Sequence, residues 1–440
     1  MRGRVLLLTI FLATAVMAQA PPAAVGTMTT PSPVSGTGYA TEVRSEMRSN
    51  YLRGGFTYSS SYIDNLYANS GSASLSEFTV SIMPSIAFDA TTPRQHVDVS
   101  YSPGFTFYNP SNELNEVDNS ATVNYSFRLT QHSTLSASDR LVDSSSTFSQ
   151  SGEGVSGAPV TSTPGVTPPF AKMLTNSVNA QFTMQTGLND MFGVSGTSSI
   201  LHYPNAAQTP GLYNSSVVGG GVFYAHRISA LHSLGIAYRY IDAMETPTAS
   251  QSMETPTAGQ STVQGSTFMG YYTISPLKEL SMSVSGGAQY YTVSQAGSPD
   301  TSSLGPTITA SMGWQGNRSS FAASYSQAVT GGGGLLGAYH TQRAEMTARW
   351  RVSRTWTTGL AGTYAINKAV TGMLSTGEQN GHSLGGSATL EHPIRGAVKL
   401  SFNFDHIHQS YSQVAAISPN PDTNRVSAMI SWNFLRQLGR

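Results

Sequence analysis

From Tyr39 onward, apolar and polar side chains alternate one for one in stretch after stretch, and that two-residue period dictates the element. A strand puts successive side chains on opposite faces, whereas a helix with this pattern would scatter its apolar residues round the whole circumference. Between Asn119 and Thr130, Ala121, Val123, Tyr125, Phe127 and Leu129 share one face, and Thr122, Asn124, Ser126, Arg128 and Thr130 share the other. The rows Phe78, Val80, Ile82, Ile86 and Phe88, then Leu280, Met282, Val284, Ala288 and Tyr290, and finally Val426, Ala428, Ile430, Trp432 and Phe434 repeat it. Each row runs for about ten residues, the length a tilted strand needs to cross a hydrocarbon core.

About eighteen such segments follow one another, and their connections alternate in length. Those after even-numbered segments are short, near Pro93, Gln131, Asn189, Arg227, Pro276, Gly316, Ser353 and Pro393; those after odd-numbered segments are longer. Short turns on one rim and long loops on the other fit an all-β fold, a transmembrane antiparallel up-and-down barrel of about 18 strands, with 16 the other admissible count. An even count returns both ends to the same side. Pro84, Pro103 and Pro306 fall inside proposed strands, where a closed ring has no free edge to excuse a missing N–H, so bulges or a miscounted strand are expected there.

Composition narrows the surroundings. Only 10% of the residues are charged, against about 25% in ordinary soluble proteins, so much of the exterior is expected to face lipid rather than water. After the first twenty residues no run of about 18 apolar residues occurs, which rules out membrane helices. With 23 basic and 23 acidic residues the chain lacks the positive excess a nucleic-acid binder needs. The 21 Tyr and 17 Phe argue against low-complexity disorder. No cysteine is present, which removes disulfides, thiolate metal sites, cysteine nucleophiles and a lipoprotein anchor. At the N-terminus Arg2 and Arg4 precede an apolar stretch from Val5 to Val16, so residues 1–20 read as a signal peptide cleaved after Ala18 or Ala20. Residues 21–50 read as a Pro/Ser/Thr-rich periplasmic linker, and residues 51–440 as the barrel.

Aromatic placement adds a second signal, because amphipathic rings collect at membrane interfaces. Trp314, Trp350, Trp356 and Trp432, with Phe434, fall at the short-turn ends of their strands and form a predicted girdle. Tyr58, Tyr108, Tyr238, Tyr240, Tyr290, Tyr291 and Tyr364 lean to the other rim, while Tyr125, Tyr271 and Tyr272 do not. With the closing row Arg425 to Phe434, these features make residues 51–434 resemble a bacterial outer-membrane β-barrel of the porin type. The resemblance implies the outer membrane of a Gram-negative bacterium, contact with its lipid, and recognition of the closing strand by the barrel-assembly machinery. Leu435 to Arg440 depart from the family's common form, which ends on the aromatic.

In such a barrel the polar rows line the lumen. Most of that wall reads Ser, Thr, Asn, Gln and Gly, which suits water and neutral polar solutes. Residues Arg343, Glu345, Thr347, Arg349 and Arg351 form one inward row, and with Lys399, Asp405, Glu391 and Arg128 they are the charged pore-lining candidates. They could form an anion-favouring constriction, or the acids could pair with the arginines as structural bridges. The expected function is a porin-like channel for passive diffusion of small polar solutes or sugars, with no enzymatic activity, cofactor or metal; a homo-oligomer is compatible with it. The alternatives are a barrel for polysaccharide or polymer export, which an inward track through Tyr108, Tyr271 and Tyr291 would favour, and a plugged structural or adhesive barrel. Val142 to Lys172 is long enough to enter the lumen. The tandem repeat Met244–Ser252/Met253–Ser261, the run Gly331 to Gly334 and the stretch Tyr203 to Leu212 are expected outside as loops, and Asp405, His406 and His408 are a weak metal or hydrolase candidate.

Overall fold

The computed structural model describes residues 50–67, 75–145, 148, 170–205, 211–248, 259–295, 299–370, 380–412, 414 and 422–437. The signal peptide, nearly all of the linker, most of the connection between Val142 and Lys172 and the middle of the tandem repeat lie outside the described residues.

Eighteen antiparallel strands close into one ring. In chain order they are β1 Tyr51–Ile63, β2 Glu77–Thr91, β3 Gln95–Asn109, β4 Glu116–Arg128, β5 Ser133–Ser144, β6 Met173–Gln185, β7 Asp190–His202, β8 Tyr213–Arg227 and β9 His232–Pro247. The second half comprises β10 Ser261–Leu277, β11 Leu280–Gln295, β12 Thr301–Gln315, β13 Ser319–Gly331, β14 Ala338–Arg351, β15 Thr357–Ala369, β16 Gly381–Arg395, β17 Val398–Tyr411 and β18 Asp422–Gln437. Each strand pairs with its neighbours in sequence, and β1 closes the ring on β18 from Tyr51↔Gln437 to Ile63↔Arg425. The strand count is therefore eighteen, and the strictly alternating rows form because such a ring has an apolar medium outside and a polar one inside. Val222, Tyr224, Ile236, Tyr238 and Phe268 stand exposed on the outer face, where lipid covers them, and this is the architecture of an outer-membrane barrel.

The prolines behave differently from expectation. Pro84 and Pro103 face each other across β2 and β3, and the register is the same on both sides of them, with Ile82↔Phe105 and Ile86↔Tyr101. There is no bulge; two residues without N–H groups share one gap in the ladder, and Ser102 Oγ donates to the Pro84 carbonyl at 3.0 Å. Pro276 and Pro393, expected in turns, end up within β10 and β16 beside register shifts, and the turns fall at residues 278–279 and 396–397. A bulge is where a strand tolerates a missing donor. Likewise Arg227 is the last residue of β8. The closing strand continues past Phe434 to Gln437. Pro306 keeps its register with Ala288 of β11, and the pairing of β12 with β13 stops short of it, at Ile308↔Gln327.

Candidate lumen and constriction site

Across β14, Met346 (48% exposed) and Trp350 (56%) mark the outer face, so Arg343, Glu345, Thr347, Arg349 and Arg351 occupy the inner one. The charges there are matched across strands. Glu391 of β16 accepts from Arg349 Nη2 at 2.9 Å and from Lys399 Nζ of β17 at 2.7 Å. Arg349 reaches it over β15, where its ladder partner is Gly359, which presents no side chain. Arg343 pairs with Glu345 on its own strand, and Asp405 with Arg425 at 2.9 Å. Arg351 has no acidic partner among the described residues, and the Arg128 guanidinium donates to the Gln131 carbonyl at 3.4 Å. Replacing Glu391 by Gln leaves Arg349 and Lys399 without their shared anion, so an increased preference for anions is expected in reversal potentials measured across a salt gradient.

The girdle candidates occupy one rim. Trp314 and Trp350 are exposed near the ends of β12 and β14, Trp356 stacks on His392 with ring centroids 4.4 Å apart just before β15, and Trp432 and Phe434 contact each other at 5.8 Å on β18. His406 and His408 each take a partner from β18, Asn424 at 2.8 Å and Asp422 at 2.8 Å.

A second basic wall was not singled out in the sequence. Arg140 of β5 and Arg239 of β9 line one cavity of about 470 Å³, together with polar side chains such as Asn124, Ser177, Asn179, Gln181 and Thr197. The signal was present: Arg239 lies between Tyr238 and Tyr240, both exposed on the outer face, so alternation points it inward. No acid lies within ion-pair distance of Arg239 among the described residues.

At the rim of long loops the lumen is spanned by protein. Residues 332–337 join β13 to β14 and fold inward, against the expectation of an external loop. Gly333, Gly334 and Gly337 adopt positive φ of 55°, 103° and 93°, which is why this tip is glycine-rich. Leu335 is 0% exposed and shares an apolar cluster with Met173, Leu201, Tyr203 and Leu212 on one side and Tyr339, Tyr411 and Val414 on the other. Met173 is on β6 and Leu201 on β7, with Tyr203 and Leu212 in the connection from β7 to β8, whereas Tyr339 is on β14 and Tyr411 on β17; β7 and β17 are eight strands apart by the shorter way round the ring, so the tip bridges nearly opposite walls. Tyr213 N–H donates to the Gly334 carbonyl at 2.9 Å. Tyr203 and Leu212, expected in an outer loop, are thus part of this interior cluster. Phe148 and Phe170, at the ends of the β5–β6 connection, form a separate apolar cluster with Ile63, Tyr108 and Ile407, and the Arg425 guanidinium lies 4.5 Å over the Phe148 ring.

Two buried polar side chains hold the tip. Glu245 of β9, 0% exposed, accepts from Gly332 N–H at 3.0 Å. It belongs to the first copy of the tandem repeat, whose Met244 to Pro247 therefore form strand rather than loop. Gln289 of β11, 2% exposed, donates to the Val329 carbonyl at 2.7 Å and accepts from Val329 N–H at 2.9 Å. It reaches across β12 because its ladder partner there is Gly305. Tyr108, Tyr271 and Tyr291 are all buried but fall in three separate clusters, so they form no continuous aromatic track.

No protein-family model matches this sequence, and no curated protein is similar to it. Among solved structures it is similar to OccAB4 of Acinetobacter baumannii (8% identity, 89% of this chain and 99% of that one, TM-score 0.39). It is similar to OccK2 (OpdF) of Pseudomonas aeruginosa (11% identity, 88% and 98%, TM-score 0.41). A third is OpdK of Pseudomonas aeruginosa, solved with vanillate (8% identity, 88% and 99%, TM-score 0.41).

Proposed function

We propose that this barrel is a passive outer-membrane channel for small polar solutes, driven by the solute gradient. The observation that carries the reading is the hydroxyl- and amide-lined cavity of about 470 Å³ against the inner wall, with Arg140 and Arg239 in it. Rings of sixteen to eighteen strands generally enclose an aqueous lumen, and a wall of short hydrogen-bonding side chains replaces part of a solute's hydration without trapping it. The guanidiniums bias that wall towards solutes carrying negative charge or many hydroxyl acceptors.

Reversing both charges tests it. Arg140→Glu with Arg239→Glu is expected to move the reversal potential of the purified protein towards cations, with the single-channel conductance changed by less than the selectivity. An unmoved reversal potential in an otherwise conducting protein would remove this wall from the permeation path. The bridge made by Leu335 favours a second reading, a sealed structural or adhesive barrel. That reading expects no conductance under any condition that leaves the ring intact. Polymer export lacks the inward aromatic track among the described residues that would recommend it.

A further inference from the structure

Among the described residues the wall parts along one seam. β12 pairs with β11 from Thr301 to Trp314, but with β13 only from Ile308↔Gln327 to Gln315↔Ser320. β13 itself runs on, paired to β14, as far as Gly331↔Ala338. Above Ile308 the two strands have parted, and the last link is a side-chain bond, from Thr307 Oγ1 to the Gln327 carbonyl at 3.1 Å. Continuing the register would set Val329 against Pro306 and Thr330 against Gly305.

Pro306 explains the parting. In an antiparallel ladder the N–H and C=O of one residue point to the same neighbour. Both groups of Val329 go to the Gln289 side chain, not to β14, so they occupy the direction in which β12 would lie. Pro306 has no N–H to give the Val329 carbonyl. Gln289 supplies a donor and an acceptor in its place, from inside the ring and over Gly305, and Glu245 takes the next free N–H, that of Gly332. The upper β13–β14 hairpin therefore has two sets of partners within reach. One is the pair of interior side chains; the other is the unpaired edge of β12.

We propose that this hairpin is the channel's gate, opening when residues 328–332 leave Gln289 and Glu245 and zip onto the edge of β12, which withdraws Leu335 from its bridge across the lumen. The inference rests on the channel reading above. Pro306 weights the closed position, because the zipped ladder lacks one hydrogen bond that Gln289 provides inside. A Pro306→Ala variant restores the donor and is expected to raise the open-to-closed ratio about fivefold, the effect of one ordinary hydrogen bond.

Because the chain has no cysteine, introduced pairs are unambiguous. Leu212→Cys with Leu335→Cys locks the tip in the lumen. Gly305→Cys and Thr330→Cys come directly opposite each other when the hairpin lies on β12, which gives them the Cα separation a disulfide requires. A Cβ at Gly305 meets Tyr291, Val329 and His340 at 3.5–3.8 Å, ordinary contact, so the residue fits. Each protein is reconstituted in a planar bilayer in potassium chloride, its barrel verified by heat-dependent gel mobility, and recorded oxidised and reduced. The lumen bridge is expected to abolish conductance until reductant is added, and the wall bridge to hold the channel open. Failure of the wall pair to cross-link, or a lumen-bridged protein that conducts as freely as the reduced one, overturns the gate and leaves the channel standing. Silence from the wall-bridged protein overturns the channel reading itself, and the gate with it. Pro306→Ala, which adds no bulk, carries the same prediction should a cysteine pair fail to assemble.

Discussion

Leu335→Asp is expected to convert the protein into a persistently conducting pore. The side chain is 0% exposed at the centre of the cluster that joins β6–β8 to β14–β17. Its replacement forfeits roughly 2 kcal/mol of apolar burial. The new carboxylate has no cationic partner among the cluster residues, all of them apolar or tyrosine, and an unpaired buried charge costs several kcal/mol more. A penalty of at least about 4 kcal/mol falls on the bridged arrangement alone, because the ring strands do not depend on Leu335 for their ladders; that is roughly a thousandfold shift towards the unbridged one. Single-channel recordings beside the parent protein check this. Conductance indistinguishable from the parent's, in a variant that migrates as a folded barrel, would show that the bridge does not obstruct the path.

The second large effect concerns the ring. Gly287 of β11 faces Met269 of β10, and a Cβ there would lie 1.9 Å from the Phe268 carbonyl oxygen and 2.6 Å from Met269 Cα. These are backbone atoms of a paired strand and cannot rotate away as a side chain would. Gly287→Val is therefore expected to separate β10 from β11 or to prevent closure, with loss of the heat-resistant barrel band and a fall in the urea midpoint equivalent to more than about 3 kcal/mol. Gly386, where a Cβ meets nothing within 4 Å, is the control: Gly386→Ala should fold as the parent does. Equal behaviour of the two variants would mean that the close approach at Gly287 relaxes without cost.

The strands could be read from the chain because a two-residue period needs no knowledge of neighbours: every residue reports its own face. Gln289 and Glu245 could not be read that way. Each looks like one more member of a polar row, and its role depends on what β13 brings opposite. That Glu391 could pair with the β14 arginines was open to the sequence as an alternative, but which arginine it takes was not, since the contact skips β15 through the space above Gly359. The inward fold of the β13–β14 tip did leave a trace. Residues 331–337 read Gly-Gly-Gly-Gly-Leu-Leu-Gly, without a single polar side chain, an odd composition for a loop bathed in water. Prolines misled for a specific reason: expected bulges at Pro84 and Pro103 assume one missing donor facing an intact strand, whereas here both strands lack it at the same rung.

The pairing of β1 with β18 is as complete as any other in the ring, running over thirteen rungs from Tyr51↔Gln437 to Ile63↔Arg425. Geometrically the chain is then a cycle cut once, and nothing in the ladder distinguishes that cut from one made at any other hairpin. Residues far apart in sequence are ordinary neighbours there, and without that pairing the sheet would present two raw edges. The wall's completeness is a property of the cycle and not of any strand within it.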